Sequence, residues 1–423
     1  MSESIAQFEQ KVRVNSRTNF ILNVLDGAFF SFGLGFISQT TILPFFVSQL
    51  TDSKILISLI MSIFMFGSTL PQLITANIAE SLKKNIKAIS IIGLLQRLPF
   101  FVLGIMVILI GKDNNVVLLL AFFLMWTAYS LLMGAISPFW FGMVSKVIPD
   151  NIRGKFFGYR SFLASLLQVT GAFLAGIIIK KYLFPTNFTI LFFLTFITMM
   201  LSYAFVVSVR EPAYPVSNNR LNIKDYFNKL LSIIKKEENF KMYLLSLLFT
   251  NFIGMINGLY SVAAVERFGL SGDAAGTLVS VSTVLLISFQ SGSSIIWGHL
   301  SDRYGHKFVL VLAAVFNLIG ALMAVIASTP MMFYLVFIFT GLAVGGSMVS
   351  FIAIVPDFCD QEDAPSYAAI VNIIRGLTVA VISLFGGFVV DIFNYQTAFT
   401  IAAVMMGIGL YILKTKVVEP RVK

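Results

Sequence analysis

Three ionisable residues stand where water is scarce. Asp26, Arg97 and Arg375 each lie well inside a long apolar run. A charge at membrane depth is costly and persists mostly in ion pairs, proton relays and ligand sites. Asp26 and Arg97 fall about 10–15 Å along their runs from ends expected on the same side, so they are able to pair. Two chemistries follow. Asp26 is a proton or cation site whose ionised form Arg97 favours, or the pair is a fixed tie between helices. Around Arg375, Asn372, Gly376, Ala380, Ser383 and Gly387 recur at helical spacing. That stripe suits a wet cavity in which Arg375 meets an anionic substrate group or Asp26. It equally suits close packing through small residues.

Side-chain amides in apolar runs add candidate substrate contacts, because each wants several hydrogen-bond partners. These are Asn251, Asn257, Gln168 and Gln290, with Trp126 on a polar stripe of its own run. Catalytic sets are scarce. The only histidines, His299 and His306, share one loop. No metal cluster, phosphate-cradling Gly-Lys loop or His-based triad can be assembled, so an enzyme is not expected and neither is a cofactor.

The elements that position these residues are apolar helices. The chain is 57% hydrophobic and 12% charged, against about 25% charged for a soluble domain. Runs of about 20 apolar residues span a bilayer. Twelve such spans are predicted, near 19–48, 55–79, 87–110, 116–142, 157–180, 188–209, 241–265, 274–297, 308–328, 331–354, 367–390 and 395–413. Most of the 30 Lys and Arg residues fall in the N-terminal segment, the alternate connections and the C-terminal tail. The positive-inside rule then puts both termini in the cytoplasm of a multi-pass plasma-membrane protein. The net charge of +10 thus reports topology and contact with anionic membrane lipid. Nucleic acid is not a partner. The single cysteine, Cys359, forms no internal disulfide, and no cleaved leader is visible.

Three regions are predicted: a six-helix bundle over 1–209, a cytoplasmic linker with an amphipathic helix over 210–240, and a second six-helix bundle over 241–423. In the linker, Tyr226, Phe227, Leu230, Leu231, Ile233 and Ile234 alternate with Lys and Asn, as on a helix lying at the membrane face. The halves look related. Val147-Ile148-Pro149-Asp150 before span 5 returns as Ile354-Val355-Pro356-Asp357 before span 11.

Between spans 8 and 9 runs Gly298-His299-Leu300-Ser301-Asp302-Arg303-Tyr304-Gly305-His306-Lys307. It reads as a short charged turn. Gly298 would let two helices approach, and Gly305 would permit positive φ. This stretch fits Gly-x-x-x-Asp-Arg-x-Gly-x-Lys, and the chain resembles the major facilitator superfamily of transporters. Pro149 to Gly158 is similar to the helix 4–5 loop of many bacterial members. The first-half copy of the signature, around Glu80, Lys83 and Lys84, lacks both glycines and the Arg.

The resemblance implies an all-α membrane protein with twelve transmembrane helices in two pseudo-symmetric six-helix bundles, acting as a monomer. It places the polar stripes near a central cavity and makes Gly298, Asp302, Arg303, Gly305, Lys307 and Glu80 a conformational latch, with Asp302 docked at the start of helix 5. The expected function is secondary active transport of a small organic solute or amphiphile by alternating access, as proton-coupled efflux. An uncoupled facilitator or importer is the alternative within transport. A non-transporting receptor would call for an appended soluble domain.

Overall fold

In hydrocarbon a backbone has no water to bond, so a spanning segment satisfies its N–H and C=O groups within itself as a helix. The computed structural model describes residues 2–111, 113–213, 233, 237–359 and 364–419, with backbone alone for 2–9, 80, 150, 364 and 365. Its helices are α1 (Ser2–Phe36), α2 (Ile42–Ser48), α3 (Lys54–Ser81), α4 (Ile86–Ile110), α5 (Asn115–Val147), α6 (Asp150–Lys181), α7 (Thr186–Val207), α8 (Glu238–Thr250), α9 (Tyr260–Arg267), α10 (Gly272–Tyr304), α11 (His306–Ile326), α12 (Pro330–Ser350), α13 (Ala364–Ile392) and α14 (Tyr395–Thr415). They supply 12 spans long and apolar enough to cross a membrane, and there is no strand among the described residues. Large apolar side chains such as Leu109, Leu120, Phe162, Ile295 and Tyr411 point outward, as a lipid-facing surface requires.

Three sequence expectations change. The first span is not 19–48. Its apolar part covers Gln10–Phe36, and the chain then turns before the short α2, whose apolar side chains from Ile42 to Val47 are buried. Hydropathy merges the two because both are apolar. The seventh span is broken. A 3-10 turn at Asn251–Met255 separates α8 from α9. The charged segments read as loops are largely helix ends: α6 starts at Asp150 and α10 continues to Tyr304. The linker helix predicted within 210–240 lies outside the described residues, except for the ends of that segment and Ile233, which is buried in the second core.

The helices gather into two compact units, Met1–Ser38 with Phe66–Leu221 and Gln39–Met65 with Asn222–Lys423. In the first unit, α1 crosses α6 where Gly35 meets the backbone of Gln168 and Gly171, and α3 crosses α5 where Gly67 meets Ser130 and Gly134. In the second, α10 crosses α12 where Gly341 and Gly345 meet the carbonyls of Leu286 and Gln290. Small residues let backbones approach this closely. The first core packs Val24, Ile89, Phe139, Met143 and Phe156; the second packs Phe240, Tyr243, Phe358 and Tyr367.

Each unit closes on itself with the same device. In the first, Asn19 donates to the Arg210 carbonyl and accepts from the Arg210 N–H. The next residue, Glu211, accepts from the N–H groups of Asn85 and Ile86 at 2.7 and 2.8 Å. In the second, Asn239 makes the same two bonds with Val418, and the carboxylate of Glu419 lies against Gly305. Both glutamates sit at the positive N-terminus of a helix, α4 or α11. The sequence carries this repeat as Val209-Arg210-Glu211-Pro212 and Val417-Val418-Glu419-Pro420.

Candidate functional site

Asp26 is 5% exposed and has two partners. One carboxylate oxygen accepts from the Ser202 hydroxyl at 2.7 Å. The other lies 3.6 Å from the Arg160 guanidinium. Gly27 makes this possible, because a Cβ there would run into the Arg160 side chain. Arg160 in turn lies over the Trp140 ring, 4.4 Å from its centroid. The buried Nε of Arg160 and Nε1 of Trp140 have no acceptor among the described residues.

Arg97 is 2% exposed and is fully occupied. It donates to the carbonyls of Met199 and Gly93, both at 2.6 Å, and to Ser202 Oγ at 3.0 Å. Tyr203 and Phe30 flank its guanidinium. The expected direct Asp26–Arg97 pair is therefore corrected. The two meet through the Ser202 hydroxyl, and the cation that faces Asp26 is Arg160. Arg160 falls only three residues inside the predicted fifth span, 157–180, beside the charged Arg153 and Lys155, so hydropathy gives it no depth. Yet Arg160 shares a helical face with Ala164, Leu167 and Gly171, and Gly171 packs on α1.

In the second unit, the two asparagines fall in the broken span. Asn251 opens the 3-10 turn and Asn257 follows it. Asn251 Nδ2, Asn257 Oδ1 and the Tyr260 hydroxyl are buried without partners among the described residues. Unwound backbone with unsatisfied amides offers hydrogen bonds that a regular helix would have spent on itself. Arg375, on α13, lies over the Phe351 ring at 4.4 Å. It has no ion pair or hydrogen bond among the described residues.

A second ionic cluster lies at the far end of this unit. Asp391 accepts from the N–H groups of Lys54 and Ile55 at 2.8 and 3.1 Å and from Ser53 Oγ, capping the start of α3. Lys54 Nζ is 2.7 Å from Glu266, which also accepts from the Tyr395 hydroxyl at 2.8 Å. Ser383 donates to the Ser58 carbonyl, and the Thr41 and Thr283 hydroxyls meet at 2.6 Å. These bonds attach residues 39–65 to the second unit. Glu266 and Asp391 stand just past the ends of the predicted spans 241–265 and 367–390, and nothing local reveals that they share α3.

The profile of the Major Facilitator Superfamily matches residues 25–293 and 242–423. The chain belongs to the major facilitator superfamily. A search of curated protein sequences returns no match. Solved structures similar to this superfamily member include a nucleoside transporter NupG mutant (13% identity, 94% of this chain, 99% of that chain, TM-score 0.72). A D-xylose-proton symporter is also similar (16%, 96%, 99%, TM-score 0.66), as is a peptide transporter POT with sulfate (14%, 94%, 93%, TM-score 0.68). At these identities they show the fold.

The superfamily signature takes a specific form here. Gly305 is the whole turn between α10 and α11, at φ +87°, a conformation that favours glycine. Gly298 does not mark a close approach, since a Cβ there would meet open space. Asp302 and Arg303 are exposed, and Arg303 lies beside the Tyr304 ring. Lys307 donates to the Lys414 carbonyl at 3.1 Å in the last turn of α14. Glu80 is in the last turn of α3, with its side chain outside the described residues.

Two further candidates are packing residues. Trp126 is 2% exposed and stacked between Phe122 and Tyr129. This corrects its placement as a cavity residue, because α5 turns that face into the bundle. Gln290 donates to the Met348 sulfur at 3.1 Å, beside the Gly345 crossing. Gln168 is half-buried beside the Gly35 crossing.

Proposed function

We propose that this chain is a secondary transporter of the cell membrane, with both termini cytoplasmic. It exports a small organic solute or amphiphile by alternating access, as a monomer, and couples export to a proton on Asp26. The observation that carries this reading is the Asp26 environment. Its carboxylate is buried, faces one cation, and has a hydroxyl on its other oxygen. Protonation removes the attraction to Arg160 and frees the guanidinium, while a neutral carboxyl tolerates the apolar surroundings. A ligand or proton shifts the balance of states only through contacts that differ between them, and this pair is such a contact.

Asn251, Asn257 and Arg375 are the proposed substrate contacts, with Gln168 and Gln290 nearer the helix crossings. The segment from Gly298 to Lys307, with Glu80, acts as the cytoplasmic latch. The Asp391 cap on α3 and the Lys54–Glu266 bridge serve at the opposite end.

The test is transport into proteoliposomes with a panel of labelled compounds, with and without a pH gradient. Asp26→Asn is expected to abolish gradient-driven accumulation and to retain substrate exchange. If accumulation survives the substitution, Asp26 is a structural tie. The second reading, an uncoupled facilitator, then stands. It draws support from Arg97, whose bonds to two backbone carbonyls and Ser202 make a static network.

A further inference from the structure

Arg375 and Asn251 share a level of the second unit. Span 7 and α13 run in parallel, as their contacts show: the Phe240 and Tyr367 rings meet at a tilt, 4.5 Å between centroids, near the start, and Gly254 meets Val379 further along. Asn251 is one turn before Gly254, and Arg375 is one turn before Val379 on the same face of α13. Both therefore lie just to one side of the Gly254–Val379 contact. Arg375 is about 14 Å along α13 from Ser366, within the membrane-spanning part.

The groups displayed at this level are donors. The Arg375 guanidinium has no acceptor among the described residues. Asn251, 8% exposed, has a buried Nδ2 with no partner among the described residues. Below the guanidinium lies the Phe351 ring, whose backbone carbonyl is taken by the Tyr243 hydroxyl at 3.0 Å. Two donors over an aromatic surface, with no carboxylate bonded to them among the described residues, match a ligand that brings only acceptors and an apolar body.

We propose that Arg375 and Asn251 form an anion subsite for the carboxylate of an aromatic or aliphatic organic acid. This deepens the transport reading and rests on it for the ligand's fate. The guanidinium fork takes the two carboxylate oxygens, Asn251 Nδ2 donates a third bond, and the organic body lies along Phe351.

The test uses two probes of nearly equal shape, naphthalene-2-carboxylate and naphthalene-2-carboxamide, with the purified full chain in nanodiscs and in proteoliposomes. The carboxylate should bind at least about tenfold more tightly than the amide, the range of a hydrogen bond to a charged group. Arg375→Gln should bring the two within about twofold by weakening the carboxylate far more than the amide, and Asn251→Leu should reduce the ratio by a smaller factor. Arg375→Lys keeps the charge and should retain part of the preference; it decides the matter if the Gln variant does not fold. A preference that survives Arg375→Gln overturns the subsite, as does a wild-type protein that binds both probes alike or neither. Tight carboxylate binding without uptake of any labelled compound keeps the subsite and sinks the transport reading. Uptake of neutral compounds with no carboxylate preference does the reverse.

Discussion

Arg160 in the first unit and Arg375 in the second are alike in two respects. Both lie in membrane-spanning helices, and each guanidinium is 4.4 Å from an aromatic ring centroid, Trp140 or Phe351. They differ in what compensates the charge. Arg160 faces Asp26, which Ser202 links on to Arg97. Arg375 faces no carboxylate among the described residues. Low dielectric makes a paired charge a strong tie and leaves an unpaired one expensive. The first unit therefore balances its buried charges with its own groups, and the second holds a guanidinium with no counter-charge among the described residues.

The largest expected effect follows directly. Arg160→Leu strands the buried Asp26 carboxylate with only the Ser202 hydroxyl. Breaking one side of a buried pair costs about 3–5 kcal/mol, so thermal unfolding in detergent should shift strongly downward. Adding Asp26→Asn to that variant should restore much of the loss, since the stranded charge is gone. Arg375→Leu should lie within about 1 kcal/mol of wild type or be more stable, because no protein partner is abandoned. Equal losses at both arginines would mean that Arg375 has a structural tie after all.

A smaller effect compares the two clasps. Glu211 is buried, bonds two N–H groups at the start of α4, and lies 3.4 Å from Lys146. Glu419 is less deeply buried and sits at Gly305, before α11. Glu211→Gln should cost about 1–2 kcal/mol and Glu419→Gln less than about 1 kcal/mol, in line with capping and helix-dipole contributions. Hydrogen exchange should show the loss locally, at the starts of α4 and α11. An even loss across both units would argue against a local clasp.

The contrast between the units also explains what the sequence made legible. Twelve apolar windows are visible because lipid demands them, and the Gly305 turn is visible because few other residues tolerate its φ. Helix ends were misplaced for a physical reason. α5 and α10 have 33 residues each, about 50 Å of helix, against roughly 30 Å of hydrocarbon. Hydropathy reports only the part in lipid, so the fifth span is predicted from 157 and Arg160 reads as a span-edge charge, although α6 begins at Asp150 and Arg160 lies ten residues beyond it. The break at Asn251–Met255 is hidden for a similar reason: Phe252, Ile253 and Met255 are as apolar as their surroundings, a lone Asn and Gly do not lower the hydropathy of the span enough to show, and only the backbone departs from helix. The repeated Val-x-Glu-Pro is too short to stand out until Asn19 and Asn239 are seen gripping the residue before each glutamate. Asp26, Arg375, Asn251 and Asn257 were legible as polar groups in apolar runs, but what each one faces is set by other helices.

The smallest expected change in stability is at Asp302, and it separates a latch from a clasp. Its neighbours in the 298–307 segment have intramolecular tasks: Ser301 bonds the Gly298 carbonyl, His306 bonds Ser350, and Lys307 bonds the Lys414 carbonyl. Asp302 is exposed at the last turn of α10, where a carboxylate is mildly unfavourable with respect to its own helix dipole. Removing the charge should therefore leave unfolding unchanged within about 0.5 kcal/mol, as for surface substitutions generally. A role as latch predicts something else: Asp302→Asn should alter the distribution between access states. Pairs of spin labels at the two ends of the molecule would read that distribution directly. A shift in the distribution with stability unchanged assigns Asp302 to the conformational equilibrium. An unchanged distribution removes it from the latch and leaves Gly305 and Glu419, which shape the turn itself, as the functional core of the segment.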